Sequence, residues 1–296
     1  MILHILTVKG SAGERYVVDK DIFESIVESA LSLPEESKHW HIGGNAALMA
    51  NRFTKEKCKG VFLGGIVSEE LAKLLPSNIE VPPKESNEDS LNKYDQIHLI
   101  MEYEKGSSWG NLTSPRANRF IVVRDIPNGQ IQSLVPFHKS LATFQPNLVI
   151  ISGLHLLEGQ PNEYRQNRLK DVAEQLTASD MSPAPIHIEL ASVGEIEYMK
   201  QLATLIVPTV DSLGLNEQEL GSIYLALGGT EFTRDHFKDP LVSTVVKALR
   251  LVYREIEKMP HISRKLTRIH FHCLTFHLIL QVKNSNWNNG KEVKNL

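Results

Sequence analysis

Gln145-Pro146-Asn147-Leu148-Val149-Ile150-Ile151-Ser152-Gly153 is the stretch that decides the fold. Four consecutive apolar residues, three of them β-branched, run into Ser-Gly; that is how a strand buried on both faces reads. A helix is expected over about residues 163–177, and a second apolar run follows at 186–190. Further along, residues 205–207 read as another strand and 216–227 as a helix. Pro240 opens a long helix through 257, and 266–282 again contains strand-like residues. Upstream, Ile22, Phe23, Ile26, Val27, Ala30 and Leu31 form a helical stripe that Pro34 closes. Residues 44–53 read as a loop feeding a second helix. Residues 60–65 are a short buried strand ending in glycines, after which Ser68 caps a helix over 69–75. Repeated β-then-α units imply a parallel sheet flanked by helices.

One region breaks this texture. Residues 81–94 are polar, contain two prolines and read as a surface loop. Residues 97–103, 119–123 and 130–135 are strand-like runs separated by turn signals, notably Pro127-Asn128-Gly129. This is the pattern of antiparallel sheet, and it implies a lid built on the α/β core. No internal repeat or low-complexity segment is present.

The bulk numbers narrow the function classes. In 296 residues, 42% hydrophobic content supports a sizeable core and 23% charged content a solvated surface. A formal net charge of −3 with no concentrated basic stretch argues against nucleic acid or acidic lipid as the main partner. No stretch approaches the ~18 apolar residues of a membrane span. The apolar start, residues 1–8, has no basic lead and reads as a strand. Cys58 and Cys273 are expected to be buried free thiols, and they leave the compartment open. Asn111-Leu112-Thr113 is a glycosylation sequon, which matters only in a secretory lumen.

Several short motifs carry chemistry, each beside a plainer explanation. Gly43-Gly44-Asn45-Ala46-Ala47 opens a helix, where glycines admit a ligand to the backbone and Asn45 can bond a sugar hydroxyl. An ordinary capped loop explains the same residues. His187 and Glu189 stand two apart on a strand and share a face, with Glu189 at the carboxyl end where α/β sheets bind ligands. A surface pair is the alternative. Asn216-Glu217-Gln218-Glu219 starts a helix, and an amide and a carboxylate there can hold the water shell of Mg²⁺. A capping box explains those four residues equally well. Glu102 and Arg119 belong to the antiparallel region, where Glu102 could grip sugar hydroxyls or pair across strands. His270, His272 and His277 suggest a metal site, but Cys273 points the other way, so packing histidines are the preferred reading.

The order of these motifs says more than any one of them. Gly43-Gly44-Asn45-Ala46-Ala47 is followed by Arg116-Ala117-Asn118-Arg119-Phe120-Ile121 and Ile151-Ser152-Gly153-Leu154-His155. Then come His187-Ile188-Glu189-Leu190-Ala191-Ser192, Ser212-Leu213-Gly214-Leu215-Asn216-Glu217-Gln218-Glu219-Leu220 and Leu266-Thr267-Arg268-Ile269-His270-Phe271-His272. From about residue 12 to about 280 the series resembles the animal ADP-dependent glucokinases, relatives of the ribokinase-like sugar kinases.

The resemblance implies an α/β, ribokinase-like three-layer core with a smaller antiparallel β lid, incomplete at both termini. The lid is expected at residues 1–16 and 95–135, the core at 17–94 and 136–296. It implies transfer of phosphate from ADP to the 6-hydroxyl of D-glucose, giving glucose 6-phosphate and AMP with Mg²⁺. Glu189 and Glu219 match the family's magnesium-associated carboxylates, with Asn216 and His187 standing behind them. Gly44, Asn45 and Glu102 match its sugar-pocket region. It implies a monomer and an endoplasmic-reticulum or secretory location, with the cytoplasm as the alternative.

Family members carry a further core strand before this region and a Gly-x-Gly-Asp motif after it, whose aspartate deprotonates the sugar. Residues 1–296 contain no such motif, so no catalytic base is assigned within them. Two rivals stay open: a related sugar kinase using fructose 6-phosphate or ATP, to which Arg116 and Arg119 are suited, and a non-catalytic binding protein. The resemblance implies that residues 1–296 expressed alone form no glucose 6-phosphate from glucose, ADP and Mg²⁺. A coupled assay on the folded chain checks this, and turnover comparable to an intact relative would refute it.

Overall fold

The computed structural model describes residues 13–17, 19–82, 94, 96–115, 117–178, 181, 183–261, 263–283, 285 and 287. It divides into two compact units, one from residues up to 61 together with 65–129, the other from 62–64 together with 130 onward.

In the first unit, β1 (Gly13–Tyr16) is followed by the short strands β2 (Val61–Phe62), where the division falls, and β3 (Ile79–Glu80). A three-stranded sheet has the order β1-β7-β4, with β4 at His98–Tyr103 and β7 at Asn118–Val123. β4 and β7 run antiparallel, with Glu102 opposite Arg119, and β1 lies parallel along the other edge of β7. The helix Lys20–Leu31 starts where Asp19 accepts the Ile22 N–H at 3.0 Å. Its Phe23 and Val27, one turn apart, pack with Tyr94 and with Phe120 and Val122, which share one face of β7. Gly44 (φ +76°), in the left-handed region that suits glycine, precedes the helix Asn45–Lys55. Ser68 caps the helix Glu69–Leu74 by accepting the Leu71 N–H. β5 (Ser108–Trp109) and β6 (Leu112–Thr113) form a hairpin whose exposed turn carries Asn111 of the sequon. Most of the polar loop expected at 81–94 lies outside the described residues.

The third strand expected beside β4 and β7 does not form. Residues 131–133 are a turn, and 134–144 are the helix Leu134–Phe144, which belongs to the second unit. Leu134 and Leu141, seven apart, are its buried residues, a helical spacing that a six-residue window read as strand cannot reveal.

The second unit holds a five-stranded sheet of order β12-β11-β10-β9-β8. Its strands are β8 (Val149–Ile151), β9 (Ile186–Glu189), β10 (Ser212–Leu215), β11 (Arg268–His272) and β12 (His277–Gln281). β8 to β11 are parallel, and β12 turns back antiparallel on β11. Ile188, Leu213 and Ile269 lie in register across the three central strands and are buried to within 1%. Ile186, Leu215 and Phe271 bury the same face. The long helix Val242–Glu257 contributes Val245, Ala248, Leu249, Val252 and Ile256 to the shared core, the stripe of an amphipathic helix.

Residues 205–207 are not a strand. The helix Ile196–Gln201 continues through a π turn, Leu202–Ile206, into Val207–Thr209. The buried residues Leu202, Ala203, Ile206 and Val207 recur at helical spacing with Thr204 exposed between them, but the three-residue window 205–207 is too short to show that period. The strand in this part of the chain is β10. Cys58 and Cys273 are free, but neither is buried: Cys58 is exposed and Cys273 half-buried. Among the described residues no helix is long and apolar enough to cross a membrane.

Leu213, fully buried in the central strand, measures what this core contributes. Leu213→Ala is expected to cost about 2–5 kcal/mol. In urea unfolding the midpoint should fall while the slope stays unchanged.

Candidate functional site

The opposite face of the same sheet is polar. Because β residues alternate, His187 and Glu189 point away from the apolar core, as do Ser212 and Gly214, and Arg268, His270 and His272. The register lines them up in rows: His187, Ser212 and Arg268 form one, and Glu189, Gly214 and His270 the next.

Glu189 is the centre of this face. Its Oε2 accepts from His187 Nε2 at 3.1 Å, and its Oε1 from His272 Nε2 at 2.8 Å. Gly214 makes room for it. A methyl group there would overlap Glu189 Oε2 and stand 2.9 Å from both Glu189 Cδ and His187 Cε1. Burial pushes the Glu189 carboxyl up, but the bonds from His187 and His272, together with the charge of His272, hold it down at about 2. In return the bond to Glu189 raises His272 above the usual imidazole range, against the effect of burial. His270, which meets His277 at 3.1 Å, is pushed down to about 4, mainly by burial and also by the charge of Arg268.

The second carboxylate comes from the helix Glu217–Ala226, which follows β10 directly. Asn216 is its N-cap: its Oδ1 accepts the N–H groups of Gln218 and Glu219 at 2.9 and 3.0 Å. Glu219 returns the contact, accepting the Asn216 N–H at 2.8 Å and the Asn216 Nδ2 at 3.0 Å. The capping box foreseen as the plain explanation is therefore present. Yet Glu219 is only 4% exposed, unlike a surface cap. Burial raises its pKa, the Asn216 backbone bond works against that, and the charge of Glu189 adds to the rise. Two carboxylates that feel each other's charge are thus driven in opposite directions.

All four carboxylate oxygens already accept an N–H, and each keeps a second lone pair. Among the described residues no three His, Cys, Asp or Glu side chains converge as a direct metal cage. Such a donor set suits Mg²⁺ held through its water shell, and not a dehydrated ion.

Of the residues singled out in the sequence, the structure brings His187, Glu189, Asn216 and Glu219 together at the carboxyl ends of β9 and β10. Gly44 and Asn45 lie exposed at a helix start in the first unit, and Glu102 is exposed on β4. Arg116 lies outside the described residues. His272 was not foreseen as a partner of Glu189, nor were Ser212 and Arg268 as the groups behind His187, nor Gly214 as the gap that admits the carboxylate. Their shared face was legible from spacing, but the strand that each one neighbours was not.

A family model described as the ADP-specific phosphofructokinase/glucokinase conserved region matches residues 2–294. The ADP-dependent glucokinase of Bos taurus is 39% identical over 284 residues, covering 95% of this chain and 55% of that protein. A probable ADP-dependent glucokinase of Caenorhabditis elegans is 34% identical over 290 residues, covering 95% and 56%. The chain therefore spans about half the length of these curated relatives. The crystal structure of a phosphofructokinase from Pyrococcus horikoshii OT3 with AMP superposes with a TM-score of 0.70 at 20% identity, covering 97% of this chain and 65% of that one.

The Glu189–His272 pair gives stability a pH signature. The Glu189 carboxyl is lowered, so its contribution is complete above its ordinary 4.5 and is lost as pH falls towards about 2. The His272 imidazole is raised, so its contribution is complete below its ordinary 6.5 and is lost as pH rises through the raised value. The stability difference between wild type and His272→Asn should therefore be largest between about 4.5 and 6.5 and shrink on both sides. Urea unfolding of both proteins from well below pH 4.5 to well above pH 6.5 checks it; a difference that stays flat over that whole span would show that the pair does not form.

Proposed function

Because this chain belongs to the ADP-specific phosphofructokinase/glucokinase family, we propose that the protein carrying it transfers a phosphoryl group from ADP to D-glucose, giving glucose 6-phosphate and AMP. The observation that carries this is Glu189 at the carboxyl end of β9 beside Glu219 in the first turn of the helix that follows the adjacent parallel strand β10, the place where open α/β sheets bind ligands. Glucose is favoured over fructose 6-phosphate because the relatives at 39% and 34% identity are both named glucokinases.

Phosphoryl transfer asks a protein chiefly for positioning and charge neutralisation. When bound, Mg²⁺ supplies neutralisation to the phosphate oxygens. Glu189 and Glu219 are the residues that would hold its water shell. His187 and Asn216 fix the two carboxylates by the bonds already described, so the site is organised before ligand arrives. Gly44, Asn45 and Glu102 are proposed as sugar contacts: Asn45 offers both donor and acceptor, and Glu102 a carboxylate for paired hydroxyls. No residue within this chain is assigned as the base.

The test uses the full-length protein. Glucose 6-phosphate should form with ADP and not with ATP, and equal rates with both would overturn the ADP-dependent reading. Glu219→Gln should raise the Mg²⁺ requirement about 10–100-fold, the range seen when groups around a metal are altered. Full activity at ordinary Mg²⁺ would leave Glu219 as a helix cap alone.

A further inference from the structure

His187 is the hinge of a longer chain of hydrogen bonds. On the side away from Glu189, its Nδ1 lies 2.8 Å from Ser212 Oγ. Ser212 is fully buried in the central strand β10, and Arg268 Nη1 stands 3.2 Å from the same oxygen. Arg268 is held in turn: Trp287 lies across its guanidinium at 5.2 Å, and the indole Nε1 donates to Thr267 Oγ1 at 3.0 Å. The line therefore runs from Arg268 through Ser212 and His187 to Glu189, across three neighbouring strands.

The chemistry of these groups gives the line a direction. A guanidinium only donates, so Ser212 Oγ accepts from Arg268. A serine hydroxyl carries one proton, and among the described residues the remaining partner within reach is His187 Nδ1. Ser212 therefore donates to Nδ1, which must be bare, and the ring proton sits on Nε2, where it is donated to Glu189 Oε2. The opposite tautomer would set a bare Nε2 lone pair against a carboxylate oxygen at 3.1 Å. It would also leave the Ser212 proton unpaired inside the protein, and unpaired buried polar groups cost about 1–3 kcal/mol. A doubly protonated ring would strand the same proton.

We propose that Ser212 and Arg268 are positioning residues that lock His187 in its Nε2–H tautomer and so aim the Glu189 carboxylate. The importance of that aim rests on the magnesium role given to Glu189 above, but the tautomer itself does not. Neither residue touches substrate in this account; both act through His187.

The tautomer can be read directly. Long-range proton–nitrogen correlation spectra of the ¹⁵N-histidine-labelled chain at neutral pH, with His187 assigned by its loss in His187→Gln, should show one Nε2–H pattern. Ser212→Ala and Arg268→Met should each turn that pattern into a mixture of tautomers. In the full-length protein Ser212→Ala should raise the Mg²⁺ requirement about tenfold or more, as changes behind a metal site do. His187→Gln, whose amide nitrogen can still donate where Nε2 stood, should stay closer to wild type than His187→Asn. An Nδ1–H pattern or a tautomer mixture in the wild-type chain overturns the proposal, whether or not the variants fold. An unaltered pattern in both Ser212→Ala and Arg268→Met overturns it as well. An Nε2–H pattern lost in Ser212→Ala, beside a Mg²⁺ requirement unmoved by Glu189→Gln, supports the lock and overturns the magnesium reading instead.

Discussion

One carboxylate, Glu189, sits clamped between the imidazoles of His187 and His272 above a strand position that has no side chain. That clamp needs Gly214, because any β-carbon on the neighbouring strand would occupy the space of the carboxylate. It also needs the register of three strands, since His187, Gly214 and His272 come from β9, β10 and β11 in turn. Parallel sheets are usually apolar on both faces. Here one face of β9 to β11 builds the core while the other carries histidine, serine, arginine and glutamate. The same alternation that buries Ile188, Leu213 and Ile269 therefore presents the polar rows, and the fold and the site are two faces of one sheet.

The Asn216–Glu219 contact meets a folding requirement with the same atoms that the proposed magnesium role would use. The first turn of a helix has free N–H groups that must find acceptors, and Asn216 supplies one. Glu219 completes the box, and in doing so its carboxylate is fixed beside the end of β10 without further support. A cap on the surface would do the structural task equally well. What the cap does not require is burial, which raises the pKa of Glu219 beside an already ionised Glu189. A cation in reach of both carboxylates would relieve that repulsion.

Much of the second unit was legible because its signals are local. The apolar run at 148–151, the His-x-Glu end of β9 and the Asn-x-x-Glu helix start are each fixed by a few adjacent residues, and the structure keeps them where they were expected. The errors fell where a short apolar stretch gives no period: 205–207 is helix, and the strand is 212–215. The run at 130–135 failed similarly, its helical spacing showing only over the longer window that includes Leu141. The partners of Glu189 were illegible for another reason. His270 and His272 were rightly placed on one face of a strand, but β11 follows β9 by about eighty residues, and only the strand order makes them neighbours.

Stability alone does not account for these residues. Burying charge is costly, and replacing a buried ion pair by well-packed apolar groups is often neutral or stabilising. Valine or isoleucine at 187, 189, 212 and 268 would extend the apolar character already present on the other face of the same strands. Instead the sheet spends its centre on a glycine, which weakens a strand, and on charged groups whose every bond must be satisfied. The satisfaction is nearly complete: both oxygens of each carboxylate, both nitrogens of His187 and the hydroxyl of Ser212 have partners. A polar network that tightly specified fixes its members in one arrangement, and a fixed arrangement is what the proposed magnesium role would demand of them.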